Sequence, residues 1–408
     1  MFKASEEGVK VSQALAKKPH LYEVDLMRAC IILGVICVHV LSSFNVRTAD
    51  GSWMDVSSGI LMMTFHFTRE AFMFITGLVL FYTYYDRPFS AASFWKKRFL
   101  LIAIPYIAWT AIYILFQGTF LKGFEWTAPY LLHTFLTSLA TAKQYFLYFL
   151  LVSMQLYVVF PLMVRWLKRS ARWHRAIVVV AFLVEIGIMI WNQASLQFVN
   201  VYQLPAWLRI LVRYRDRDIF TYEFWFIAGA MFAIYYPRLK SWAISHARAL
   251  FGIWLGMWFL LFGVYFLNRD AFHLTGGQIV DTLQPVMVPY SLAVALLLWR
   301  IGLGWQARRA KGHLPRASRV IRFFGGVSFG IFLIHPIALR FVELLADQIH
   351  APLGVQYAML PIWIALTYVS SGVAAYLIGK IPFVGYIVGE KAGLPKSTAR
   401  KTASSAAG

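Results

Sequence analysis

Acidic residues are scarce in this chain: 18 Asp and Glu stand against 39 Lys and Arg, a formal net charge of +21. Charge of either sign is itself sparse, at 14% of residues, where an average soluble protein carries roughly 25%. With 60% apolar residues and a mean hydropathy of +0.62, that deficit excludes an ordinary soluble domain. Cysteine is nearly absent. Cys30 and Cys37 are the only two; seven apart in one apolar run, they share a helix face yet lie too far apart to be bridged. They read as small packing residues, so neither a disulfide framework nor a metal site is expected. The chain also lacks a glycine-rich phosphate loop, an HExxH pattern and any repeat of short period.

What it has in abundance is long apolar runs. Ten candidate spans can be drawn, at 26–45, 58–85, 99–117, 144–164, 176–194, 220–236, 249–267, 282–299, 320–342 and 358–378. Most reach the roughly 20 residues needed to cross about 30 Å of hydrocarbon. The segment 220–236 is short, and 128–140 reads as re-entrant or interfacial. The expected fold is therefore an all-α integral membrane protein of about ten transmembrane helices. If the amino terminus is cytoplasmic, 28 of the 39 basic residues fall in inner segments, as the positive-inside rule requires, and both termini are inside. The same dispersal over short loops argues against a nucleic-acid partner, which would need the charge gathered on one module. Residues 1–20 read as a polar cytoplasmic tail without a signal peptide, 21–388 as the membrane domain, and 389–408 as a basic disordered tail.

Ionisable groups within spans are expensive in hydrocarbon, so function is sought there first. The first span reads YEVDLMRACIILGVICVHVLSSF. Asp25 and Arg28, at i and i+3, are close enough to pair. Arg28 and His39 are eleven residues apart, about 1,100° of helix rotation and hence within roughly 20° of one face, with a rise of about 16 Å. Arg-x10-His is a weak pattern by itself. An arginine at that depth can simply snorkel, and a histidine can simply bridge two helices. Arg69 and Glu70 in the second span suggest a polar cavity, or a structural ion pair. His335 precedes Pro336 and can serve only to satisfy carbonyls that the proline frees. Glu185 and Glu223 read as structural or cavity-lining.

Several segments, in order, resemble the membrane-bound acyltransferase family 3, over about residues 21–380. Asp25, Arg28 and His39 fall on the family's D-x-x-R-x10-H pattern. FTREAFMFITGLVL is similar to its Phe-rich span, with Thr76-Gly77 in place of Ser-Gly. FWKKRFLLIAIPY is similar to its basic loop running into Ile-Pro-Tyr, QYFLYFLLVSMQLYVVFP to its mid-chain helix, and GGVSFGIFLIHPI to its His-Pro segment. Three departures stand out. A second arginine three residues after Arg98 is missing, Lys143-Gln144-Tyr145-Phe146 replaces His-Leu-Trp-Phe, and no extracytoplasmic hydrolase-like domain is appended.

The resemblance implies an O-acyltransferase of a bacterial inner (plasma) membrane, moving an acyl group (acetyl foremost) from cytoplasmic acyl-CoA to a cell-surface glycan or lipid-linked sugar. Acyl-CoA is then a co-substrate, with no permanently bound cofactor and no metal. Arg28 becomes the donor anchor, with Lys96, Lys97 and Arg98 as further phosphate contacts. The rise from Arg28 to His39 is comparable to an extended phosphopantetheine arm. His39 becomes a general base, or a covalent relay of the acyl group; Asp25, Arg69, Glu70 and His335 are supporting residues. The arginine-rich outer loop 195–219, with Arg209 and Arg213, is a candidate acceptor site, or an interfacial helix on lipid headgroups. The rival reading is a multi-span exporter of a polysaccharide or polyprenyl-linked sugar, although no pair of broken helices is apparent in the sequence.

Overall fold

The computed structural model describes residues 18–390, so the two expected tails lie almost wholly outside the described residues. Every regular element among the described residues is helical. In chain order they are α1 (Tyr22–Asn45), α2 (Trp53–Phe65), α3 (Thr68–Tyr84), α4 (Ala91–Phe120), α5 (Ala128–Thr141), α6 (Tyr148–Arg169), α7 (His174–Ala194), α8 (Ala206–Arg213), α9 (Glu223–Ile234), α10 (Tyr236–Ser245), α11 (Ala247–Phe266), α12 (Met287–Ala310), α13 (Pro315–Gly326), α14 (Ser328–Asp347), α15 (Leu353–Ala358) and α16 (Leu360–Lys380). Eight of these, some with short flanking turns, are long and apolar enough to cross a membrane: α1, α4, α6, α7, α11, α12, α14 and α16.

Three of the ten expected spans take another form. The run 58–85 is broken at His66–Phe67 into α2 and α3. The run 220–236 contains only the 12 residues of α9, about 18 Å of helix, too short to span alone. The run 320–342 is divided at Val327, where Gly325 and Gly326 end α13 and the Ser328 hydroxyl donates to the Gly325 carbonyl (3.0 Å). Burial explains how short pieces persist. α9 is sunk against α3, with Phe224, Trp225 and Phe226 all buried, and the two backbones meet at facing glycines. A Cβ on Gly77 would stand 2.4 Å from the Phe226 carbonyl oxygen, and one on Gly229 would stand 2.1 Å from that of Phe74. Small residues allow this approach, in which close packing replaces the missing hydrophobic drive between helices in lipid.

α1 is the axis of the bundle: α2, α3, α12, α13, α14 and α16 all pack on it. Gly325 brings α13 against it at Asp25, where a Cβ would lie 2.4 Å from the carbonyl oxygen. Lys18 and Gly389, near the two ends of the described chain, each line a cavity that contains Arg28. Both ends of the described chain therefore lie at the Arg28 end of the bundle.

Candidate functional site

α1 is one unbroken helix from Tyr22 to Asn45, so Arg28 and His39 keep the separation of about 16 Å along one rod. Each opens into its own cavity. Arg28 lines a space of ≈ 300 Å³ together with Arg98, Tyr157, Ser153 and Gly325, and it also borders a second, ≈ 260 Å³ space with Lys18, His20 and Arg87. Its anticipated pairing with Asp25 gives way to another arrangement. Asp25 takes His20 as its partner (2.8 Å), and Arg28 borders both cavities. Arg98 packs over the rings of Tyr84, Phe94 and Tyr157 at 5.8–5.9 Å. Lys96 and Lys97 are exposed on α4 and line neither space.

His39 lines a ≈ 270 Å³ cavity with His66, Arg69, Tyr148, Asp216, Arg217 and Thr282. Its ring stacks on Phe146, with centroids 3.8 Å apart, and lies 5.2 Å from that of His335. Phe146 belongs to the segment that departs from the family pattern. An aromatic ring at that position is enough to hold the imidazole in one plane. Behind it, the His335 Nδ1–H donates to the Phe332 carbonyl (2.7 Å). That oxygen is the one whose helical partner would have been the N–H of Pro336. The same tautomer leaves Nε2 as a bare lone pair, buried and without a hydrogen-bond partner.

Two arginines line the His39 cavity, Arg69 and Arg217, the second beside the Asp216 carboxylate at 3.4 Å. Arg69 donates to the Thr282 hydroxyl and, at 3.4 Å, to that of Tyr148. Arg217 donates to the Thr141 carbonyl and lies against the rings of Tyr214 and Tyr148 (4.9 and 6.0 Å). The loop carrying it is tied down by Asp218, whose carboxylate accepts from the backbone of Phe220 (2.9 Å) and Thr221 (3.2 Å). Such pre-positioned donors can stabilise negative charge on a reacting oxygen. Glu70 does not share this space. Its Oε1 is 3.9 Å from Arg69, and it turns toward the buried interior.

The cavities of Arg28 and His39 adjoin. Phe72, Phe149 and Phe332 line both, with the Phe149 ring 5.8 Å from that of Phe72 and 5.6 Å from that of Phe332. At these separations the rings touch, so the three phenylalanines form a closed apolar partition between the two spaces, one at which a charged group would lose its hydration without replacement.

Arg209 and Arg213 do not join either cavity. Arg209 is held by the carbonyls of Tyr202 and Leu204 (3.2 Å each), and Arg213 is exposed at the end of α8. Among the ionisable residues of the His39 cavity, His66 lies outside the candidates read from the sequence, and Arg217 falls among them only as part of the arginine-rich loop 195–219. His66 carried the signal that exposed Arg69, an ionisable group inside an apolar run. Arg217 is one of four arginines in a single loop, and nothing local marks which of them folds inward.

A family model described as an acyltransferase domain, that of acyltransferase family 3, matches residues 21–380. No curated protein and no solved structure matches the chain.

Proposed function

Since the chain belongs to acyltransferase family 3, we propose that this acyltransferase moves an acyl group, acetyl foremost, from cytoplasmic acyl-CoA to a hydroxyl of an extracytoplasmic or lipid-linked glycan. One observation carries the reading. A single helix presents a cation to one cavity and an imidazole to the next, and three phenylalanines form the partition between them. In this account the Arg28 end faces the cytoplasm, where the loops are basic. Arg28 and Arg98 hold donor phosphates, for which guanidinium is the best-matched side chain. The uncharged pantetheine arm passes as the phenylalanine side chains turn aside, and it brings the thioester beside His39.

His39 takes the proton of the acceptor hydroxyl as its oxygen attacks the thioester carbonyl carbon. Arg69, Arg217 and the Tyr148 hydroxyl face the oxyanion that forms. Its collapse makes the ester and breaks the C–S bond, and the imidazolium returns the proton to the departing thiolate, giving free CoA. Phe146 and His335 hold the imidazole in place. The test is compositional: surface glycans from cells with and without the protein are compared for ester-linked acyl groups. The expected result is loss of one ester class when the protein is absent, and an unchanged ester profile would refute the assignment.

A further inference from the structure

A cavity larger than those of Arg28 and His39 lies farther along α1. It is a bowl of ≈ 710 Å³ at the Asn45 end of α1, enclosed by the 46–51 turn, α2, the end of α11 and the 273–280 loop. That volume falls within the roughly 300–1,000 Å³ of small-molecule sites. Asn45, Thr48, Asp50, Asp55, Arg269 and Thr275 contribute amides, hydroxyls, carboxylates and a guanidinium around the ring of Tyr265.

The bowl is built rather than merely open. The Asp55 carboxylate accepts from the Asn45 amide and from the Gly51 N–H, each at 2.9 Å. Tyr265 is seated against Gly59, where a Cβ would stand 2.7 Å from its ring. Arg269 is fixed by Asp270 at 2.6 and 3.1 Å, and the Thr275–Gln278 capping box orders the loop opposite. Side chains held in this way lose little freedom when a ligand arrives.

Position gives the bowl its meaning. Ser42, in its wall, lies one helical turn beyond His39 on the same face of α1. Met62 and Val280 line the bowl, whereas His66, one turn on from Met62, lines the His39 cavity. Met62 and Val280 therefore lie on the side of the bowl toward His66 and the His39 cavity. Along α1 the order is Arg28, His39, bowl, with Arg28 and Asn45 separated by about 25 Å.

We infer that this bowl is the acceptor site and that it binds one or two sugar residues of a glycan. The inference rests on the acyltransferase reading of His39 for its purpose, but not for its test. A sugar presents hydroxyls that both donate and accept, which suits amides and carboxylates, and a C–H face that packs on a tyrosine ring. The hydroxyl to be acylated points past Met62 toward His39, while the donor approaches from the opposite end.

Gly277 supplies the test, because it lines the bowl and a Cβ there meets nothing within 4 Å. In a Gly277→Cys variant, labelling by a membrane-impermeant maleimide is followed with and without oligosaccharides released from the producing cell's surface and stripped of esters by mild base. The control is Trp207→Cys on α8, an exposed position outside the bowl. At four times the dissociation constant the sugar should slow labelling at 277 about fivefold and leave 207 unaffected. No protection, or equal protection at both positions, overturns the assignment. A Gly277→Trp variant that fills the bowl should lower glycan acylation about tenfold or more while binding labelled acetyl-CoA as before, whereas acylation at the wild-type rate also overturns it. Protection without any acyl transfer by the wild type would leave the bowl standing and remove the chemistry assigned to His39.

Discussion

Pro336 has no N–H to give the Phe332 carbonyl, and the His335 imidazole gives one in its place. This bond accounts for His335 structurally, and it also fixes the bare Nε2 on the side of the ring away from it. His335→Ala should therefore destabilise the protein by about 1–3 kcal/mol through the freed carbonyl, more than His335→Asn, whose amide can still donate; thermal unfolding in detergent measures the difference. Arg69 and Arg217 differ from His335 in kind, since both present charge to the cavity itself. Arg217→Gln should lower kcat about 10²–10³-fold with the donor KM little changed. A rise confined to the donor KM would show instead that Arg217 binds CoA. The legibility of these residues follows from where they stand in the chain. Arg28, His39 and Arg69 interrupt apolar runs and could be found there by their desolvation penalty alone. Arg217, in a polar loop, could not be told from Arg209 or Arg213 until the loop's hydrogen bonds to Asp218 and Thr141 were known.

At the scale of the element, the break at His66–Phe67 is the feature that hydropathy hides. A window averaged over 58–85 stays apolar across it, because Leu61, Met62, Met63 and Phe65 before the break and Ala71, Phe72, Met73 and Phe74 after it outweigh His66, Thr68, Arg69 and Glu70. The break has a consequence for the site. It brings His66, Thr68 and Arg69 together at the cavity and leaves the first N–H groups of α3 without helical partners there. α9 is hidden for the opposite reason: it is apolar enough but too short. Its place depends on Gly77 and Gly229, whose Cα hydrogens meet the facing backbone. Gly229→Leu should prevent α3 and α9 from approaching and cost at least about 1–3 kcal/mol, seen as loss of folded protein on size-exclusion chromatography. The same substitution at Gly187, which has open space around it, should be tolerated. α1, α4 and α12, long and apolar, were legible throughout, with only their ends moved.

For the whole molecule, charge and cavity order are coupled. The basic loops and both ends of the described chain gather at the Arg28 end, while the polar bowl opens at the Asn45 end. If the basic end is cytoplasmic, the donor's phosphates never enter the bilayer. In the proposed mechanism only the uncharged arm does, and its passage is set by Phe72, Phe149 and Phe332. A Phe149→Trp change should obstruct that passage, lowering transfer at least about tenfold while labelled acetyl-CoA still binds. If binding and transfer fell together, Phe149 would belong to the donor site rather than to the passage.

The central claim is that the imidazole one cavity beyond the donor anchor performs the transfer. The direct measurement uses inverted membrane vesicles given radiolabelled acetyl-CoA on the Arg28 side, comparing wild type with His39→Ala at matched membrane content. The account predicts label in ester linkage on glycan for the wild type, and a loss of about 10²–10⁴-fold for His39→Ala with acetyl-CoA still bound. Full transfer by His39→Ala would contradict it.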